Sequence, residues 1–196
     1  MTKETASPVC YAADADDAYM GYAPRDEIIA ALNILLEAER AGAKVALASA
    51  KLGASAKRAA GVGAGDDSDG GGLAGYAPLM LAVRDDEARW CAMLSGHIRR
   101  LGGEPSPKTG DFHGKALAIA DPLERLAFLN RGQAWVVRKL EELMRRVRDD
   151  ALHADLRAML GSHRDNIGQA DAFIVAAGGI GDRKAVDVAE ARKERR

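Results

Sequence analysis

The sequence LHADLRAMLGSHRDNIGQADAFI, residues 152–174, decides the fold of this chain. Its apolar residues recur at alternating steps of three and four, which is the spacing that places side chains on one face of an α-helix. The members of this stripe are Leu152, Leu156, Met159, His163, Ile167, Ala170 and Ile174. Because His163 lies in the middle of an apolar stripe, we expect its imidazole to point into a core, where it needs a polar partner or a metal ion.

Three other stretches carry the same period, and together with the first they predict four long amphipathic helices. These three begin at Asp26, after Pro78, and at Asp121, where an N-cap aspartate precedes a proline in the first turn. The fourth helix, which contains His163, is expected to end by Gly178-Gly179. Helices of this kind pack as an antiparallel four-helix bundle, so the sequence predicts an all-α protein.

The segments outside the helices define the expected domain organisation. We predict an N-terminal segment at residues 1–24, a single helical domain at residues 25–177 and a basic C-terminal tail at residues 178–196. Within the domain, a long Gly-rich loop at residues 53–75 joins the first two helices, and a long crossover at residues 102–120 joins the second helix to the third.

Composition limits the classes of partner. The 196 residues carry a formal net charge of -1, which supplies no overall field for nucleic acid, and no stretch approaches the ~20 apolar residues of a membrane span. Acidic residues interrupt the N-terminus, so no signal peptide is expected, and Cys10 and Cys91 are expected to be reduced thiols. We therefore expect a cytoplasmic protein that binds neither nucleic acid nor membrane. Separately, we expect it to form a homodimer.

Each predicted helix has a polar residue near the middle of its apolar seam. These residues are Glu39 on the first helix, Glu87 on the second, Asn130 and Gln133 on the third, and His163 on the fourth. Helices of matching length should bring them to a similar height in the core, where an unpaired polar group costs about 1 to 3 kcal/mol. A divalent metal ion such as Fe, Mn or Zn, held by Glu39, Glu87 and His163, would neutralise the two glutamates.

A second interpretation needs no metal. The same residues can form a buried polar network in which a protonated His163 and an arginine, such as Arg131, Arg89 or Arg40, balance the acids. Such a network specifies how the helices pack and performs no chemistry. In either interpretation Gln133 and Asn130 are expected to be hydrogen-bonding amides, and His97 is expected at the edge of the seam as a boundary histidine.

The chain resembles proteins of the ferritin-like superfamily, in particular a bacterial branch of it. The motifs that carry this resemblance are LNILL at residues 32–36, DEARW at 86–90, LGGEP at 101–105, FLNRGQAWVV at 128–137 and MLGSHRDNI at 159–167. The resemblance extends over most of the predicted domain. It implies a bundle with two antiparallel helix pairs joined by the long crossover.

Members of the two-iron kind carry one glutamate on each of two helices and a Glu-x-x-His pair on each of the other two. The resemblance implies that Glu39 matches the first glutamate, Glu87 the glutamate of the first pair, and His163 the histidine of the second pair. This chain departs from the pattern elsewhere: Trp90 stands at the first histidine position and Leu160 at the second pair's glutamate. An amide, Gln133 or Asn130, replaces the third helix's glutamate. The resemblance therefore implies one metal ion rather than two, with Arg131 and the amides around it and with Trp90 and Leu160 filling the remaining space.

Three functions are compatible with these residues. The first is a metalloprotein which, as an enzyme, would act on oxygen or peroxide. The second is a metal-free scaffold or partner-binding module that uses the N-terminal tyrosines and the Gly-rich loop for recognition. The third is a protein with a small-molecule pocket bounded by Trp90 and Trp135. The sequence does not identify a substrate.

Overall fold

The computed structural model describes the backbone of residues 21–59 and 73–193, and side chains within residues 21–53 and 73–178. These residues form five helices and no strands, which confirms the all-α prediction. The helices are α1 (Arg25–Ala59), α2 (Tyr76–Arg100), α3 (Phe112–Leu117), α4 (Pro122–Met144) and α5 (Asp150–Lys193).

The four long helices pack against one another around a shared core. α1 packs along α2 and α4 packs along α5, while further contacts join α1 to α4 and α2 to α5. Buried leucines from α1, α2, α4 and α5 meet in one cluster, which includes Leu36, Leu94, Leu140 and Leu156. This packing is compatible with a four-helix bundle.

Contacts at one end of the molecule establish the directions of the helices. The backbone N–H of Ala23, just before α1, donates to the carbonyl of Arg146, just after α4, at 2.9 Å. His97 Nε2 near the end of α2 lies 2.7 Å from Asp155 Oδ2 near the start of α5. α1 and α5 therefore begin at the end of the molecule where α2 and α4 finish, so each helix is antiparallel to both of its neighbours.

The segment between α2 and α4 is held along α1. The side-chain amide of Asn33 donates to the carbonyl of Glu104 at 3.1 Å, and its oxygen accepts the backbone N–H of Ser106 at 2.7 Å. At the far end, Arg125 Nε donates to the carbonyl of Ile119 at 2.9 Å. These bonds fix the course of the crossover, whose short helix α3 packs against α1 and α4.

Two predicted helix ends were wrong. α1 continues beyond Gly53 to Ala59, because the residues that follow this glycine are mainly good helix formers. α5 continues through Gly178-Gly179 to Lys193, because a glycine lowers helix stability by about 1 kcal/mol but does not block the hydrogen-bond pattern as proline does. Residues 60–72 of the Gly-rich stretch and Cys10 lie outside the described residues.

The boundary position predicted for His97 was also wrong. Its side chain is buried, with 4% of the residue exposed, and it contacts both Asp155 on α5 and Arg100 one turn further along α2. A partly exposed carboxylate and a neighbouring guanidinium satisfy the imidazole, so this histidine joins α2 to α5.

None of the helices within the described ranges combines the length and the apolar character that crossing a membrane requires.

We expect the N-cap of α4 to contribute measurably to stability. Asp121 Oδ1 accepts the backbone N–H of Glu124 at 2.8 Å, so Asp121→Ala should lower the free energy of unfolding by about 1 kcal/mol in urea denaturation. Asp165→Ala, at an exposed position within α5, is the control and should change it by less than about 0.5 kcal/mol. Equal effects of the two substitutions would contradict the capping role.

Candidate metal centre

The structure brings together three of the predicted polar residues in the core. Glu39 on α1, Glu87 on α2 and His163 on α5 each offer one ligand atom, and these atoms all lie within 4.8 Å of one another. The three residues are 0%, 3% and 1% exposed. A metal ion placed among them would receive two carboxylates and one imidazole from three different helices.

The orientation of the His163 ring is fixed from its own helix. Nδ1 lies 3.1 Å from the carbonyl oxygen of Met159, one turn earlier in α5. Since a carbonyl oxygen only accepts hydrogen bonds, Nδ1 carries a proton and donates it. Nε2, which lies 3.2 Å from Glu39 Oε1, therefore faces the carboxyl groups. Metal-binding histidines are commonly held in this way, with one ring nitrogen donating to a carbonyl and the other available to the ion.

A glycine on α1 makes room for Glu87. Gly42 lies one turn after Glu39, and a Cβ built at this position would be 2.6 to 2.7 Å from the carboxyl atoms of Glu87. Such a distance is far below van der Waals contact, so the close approach of α1 to this carboxyl group depends on the missing side chain. Sequence reasoning did not identify Gly42, although a glycine inside a helix one turn from a seam glutamate is a readable signal.

Burial dominates the electrostatics of the two carboxyl groups. It raises the pKa of Glu39 from 4.5 to about 8, and the nearby negative charge of Asp86 acts in the same direction. Burial also raises the pKa of Glu87 well above its ordinary value, and the charge of Glu39 adds to this effect while His163 opposes it. Without a cation, the pair therefore retains protons at pH values where ordinary carboxyl groups are ionised.

One carboxyl oxygen in this cluster lacks a fixed hydrogen-bond donor. Glu39 Oε2 is buried, and no nitrogen or alcohol group in the described part of the chain donates to it, while a hydrogen bond between Glu39 and Glu87 requires that one of them carry a proton. Within the same part of the chain, neither Glu39 nor Glu87 forms an ion pair with an arginine. Arg89, one of the arginines considered in the sequence analysis, pairs instead with Asp86 at 2.8 Å.

The predicted amides lie in different environments. Gln133 Nε2 is 3.5 Å from Glu87 Oε1, so this amide reaches the cluster through a long hydrogen bond. The Asn130 amide donates instead to the carbonyl of Ile167 at 3.2 Å and to Asp171 Oδ1 at 2.7 Å. Asn130 is one turn from Gln133 on α4, and that turn moves it out of reach of the glutamates.

Arg131 and the two residues expected to fill space, Trp90 and Leu160, form no hydrogen bond or ion pair with Glu39 or Glu87 within the described residues. Arg131 is exposed, and its guanidinium lies 5.3 Å from the centre of the Phe128 ring. Trp90 and Leu160 are buried together in the main core cluster, at 6% and 9% exposure. Arg131 therefore does not balance the acids, and Trp90 and Leu160 fill space in the core, as expected.

A polar network beside the cluster was not predicted. Asp86 Oδ2 accepts hydrogen bonds from Ser162 Oγ at 2.8 Å and from Asn166 Nδ2 at 3.2 Å, which ties α2 to α5 next to Glu87 and His163. In the sequence, this network was indicated by the position of Asp86 directly before Glu87.

A cavity of about 520 Å³ reaches the cluster from the side. It lies between α1, α4 and the crossover, and its lining includes Glu87, Gln133 and Trp135. The pocket predicted between Trp90 and Trp135 is thus displaced: Trp135 lines the cavity, whereas Trp90 does not. The reason is that Trp90 packs in the core.

Comparison with protein families gives one match. Residues 26–172 match the family model described as Domain of unknown function (DUF6306). Comparisons with curated proteins and with solved structures found no match.

We expect that the contact with Glu87 requires a glycine at position 42. Gly168→Ala, on α5 with open space around it, should raise the free energy of unfolding by about 1 kcal/mol through helix propensity. Gly42→Ala should not show this gain, because its methyl group displaces the Glu87 carboxyl group. Urea denaturation of both variants tests this expectation, and an equal gain at the two positions would contradict the close contact.

The raised pKa of Glu39 predicts how stability depends on pH in metal-free protein. Between pH 4.5 and about 8 the folded state binds a proton that the unfolded state has released, so stability should fall as pH rises through this range. The slope contributed by one proton is at most about 1.4 kcal/mol per pH unit. Denaturation at several pH values should show that the free energy of unfolding decreases less steeply with pH for Glu39→Gln than for the wild type. An equally steep decrease would argue against the raised pKa of Glu39.

Proposed function

The chain belongs to the DUF6306 family, and we propose that this member is a ferritin-like metalloprotein that binds one divalent metal ion through Glu39, Glu87 and His163. The observation that carries this proposal is the meeting of the three buried ligand atoms within 4.8 Å. Three protein ligands leave coordination positions for water or a substrate, which is typical of metal sites that perform chemistry.

The charge balance of the site supports a cation. Two buried carboxyl groups lie close together, and no nitrogen or alcohol group in the described part of the chain donates to Glu39 Oε2. A divalent ion would supply the missing positive charge and occupy that oxygen, and it would lower the carboxyl pKa values that burial raises. The proton on His163 Nδ1 supports the same proposal, because it leaves Nε2 available as a ligand.

The ligand set favours Fe, Mn or Zn. Imidazole and carboxylate together suit these ions, whereas an all-oxygen set would favour Mg or Ca. Such an ion supplies redox chemistry with oxygen or peroxide, or acts as a Lewis acid. Trp90 and Leu160 stand where the ferritin-like pattern carries two further ligands, which supports a site for one ion rather than two.

The helix arrangement supports the ferritin-like part of the proposal. Two antiparallel pairs, α1 with α2 and α4 with α5, are joined by a crossover held against α1. This connectivity, with inward-facing carboxyl and imidazole groups on separate helices, is the one in which ferritin-like proteins build metal sites.

A metal-free structural module is the second candidate function. It is favoured by the 3.2 Å contact between Glu39 Oε1 and His163 Nε2, because a protonated carboxyl group can donate to this nitrogen without any ion. In that case the cluster would only specify how α1 packs near α5.

Metal analysis separates the two candidates. Purified untagged protein, loaded under reducing conditions with Fe(II), Mn(II) or Zn(II) and desalted, should retain about one equivalent of at least one of these ions by mass spectrometry. Glu87→Gln and His163→Ala should each reduce this content at least about tenfold. Glu141→Gln, which alters a surface ion pair with Arg164 on α5, is the control and should retain the ion.

Two results would remove the metal proposal. One is a metal content near zero in folded wild-type protein after loading with all three ions. The other is an unchanged content in a folded variant that lacks Glu39, Glu87 and His163 side chains together. Circular dichroism of each variant establishes that it is folded.

A further inference from the structure

The cavity beside the cluster has the dimensions of a small-molecule site. Its volume of about 520 Å³ falls within the range of pockets that enclose small organic ligands. One wall is α1, the opposite wall is α4, and residues 109–112 of the crossover close part of the opening. The inner end reaches Glu87 and Gln133.

The walls of the cavity are mainly apolar. The principal wall residues are Ile34, Ala38, Phe112, Phe128, Leu129 and Trp135. Part of the α1 wall is made of small residues, Ala38, Ala41 and Gly42. Opposite them, Gly132 on α4 admits the ring of Phe112, whose nearest carbon would lie 2.6 Å from a Cβ at that position. Apolar walls favour the body of a hydrocarbon ligand.

The charged residues at the rim of the cavity favour neither a cationic nor an anionic ligand. Arg131 and Arg138 line it on one side, and Glu37 and Asp111 line it on the other, so the formal charges cancel. Transfer of a charged ligand to an apolar cavity without a matching charge is costly. A neutral ligand is therefore favoured.

One acceptor at the inner end of the cavity, Gln133 Oε1, has no hydrogen-bond donor among the described residues. Gln133 is 3% exposed, and no group in the described part of the chain donates to its Oε1. Glu87, which the Gln133 amide nitrogen contacts at 3.5 Å, lines the same end. A ligand hydroxyl group supplies the missing donor, because its proton can be donated to the amide oxygen.

We propose that this cavity binds a small neutral aliphatic alcohol, with its chain against the apolar walls and its hydroxyl group donating to Gln133 Oε1, which turns toward the cavity when the alcohol binds. This site goes beyond the proposed metal function and does not require it. The alcohol binds whether or not the three ligand residues hold an ion, so the two proposals can fail separately.

A pair of isomeric probes tests the hydroxyl group. n-Hexanol and pentyl methyl ether have the same atoms and similar shapes, but only the alcohol can donate a hydrogen bond. Titrations of the full chain, followed by calorimetry and by ligand-observed NMR, should show that the alcohol binds about tenfold more tightly. Gln133→Met, which keeps the length of the side chain and removes the acceptor, should bring the two affinities to within about twofold.

A second pair of variants tests the location. Ala38→Phe fills the cavity and should weaken binding of both probes at least about tenfold. Ala92→Phe, at an exposed position on α2, adds the same side chain elsewhere and should leave both affinities unchanged. Circular dichroism and thermal melts identify any variant that has not folded, and the Gln133→Met and Ala38→Phe tests do not depend on each other.

The outcomes are distinct from those of the metal experiment. Equal affinity of wild-type protein for the two isomers, no binding of either, or binding unaffected by Ala38→Phe would each overturn the alcohol site. The titrations are performed on metal-stripped and on Zn-loaded protein. If folded protein binds the alcohol but retains no metal, the metal proposal alone is wrong, and the reverse result removes only the alcohol site.

Discussion

Two carboxyl groups and one imidazole are buried side by side in the core. Glu39, Glu87 and His163 each come from a different helix, so the helices can pack closely only if the negative charges of the two carboxyl groups are neutralised. Burial raises the pKa values of the two carboxyl groups, so protons can neutralise them. A divalent cation that coordinates them would neutralise them instead. The helix packing at this level and the chemistry available there are therefore consequences of the same electrostatic constraint.

Glycines shape the space around this constraint. Gly42 lets α1 approach the Glu87 carboxyl group, and Gly132 lets the ring of Phe112 dock on α4. The first contact brings a carboxyl group against α1, and the second forms one wall of the cavity that leads to it. A residue type that is unfavourable within helices thus occurs where two surfaces must come closer than a methyl group allows.

The candidate site was predictable in part. Apolar periodicity identified the four long helices and placed Glu39, Glu87 and His163 on their inner faces, because burial repeats with the helical period. The same periodicity could not distinguish Asn130 from Gln133, since both lie on the inner face of α4 and only the contact with Glu87 separates them. The pocket predicted between Trp90 and Trp135 was misplaced, because a void depends on side chains from α1, α4 and the crossover together.

The sequence by itself determined the all-α class and the inward positions of Glu39, Glu87 and His163, because these follow from residue identity and helical spacing. The tertiary structure alone decided that Gln133 reaches the cluster and that His97 is buried against Asp155. It also decided that Gly42 faces Glu87. Those facts concern distances between atoms on different helices, and such distances are set by the relative rotation and height of the helices, which no local pattern encodes.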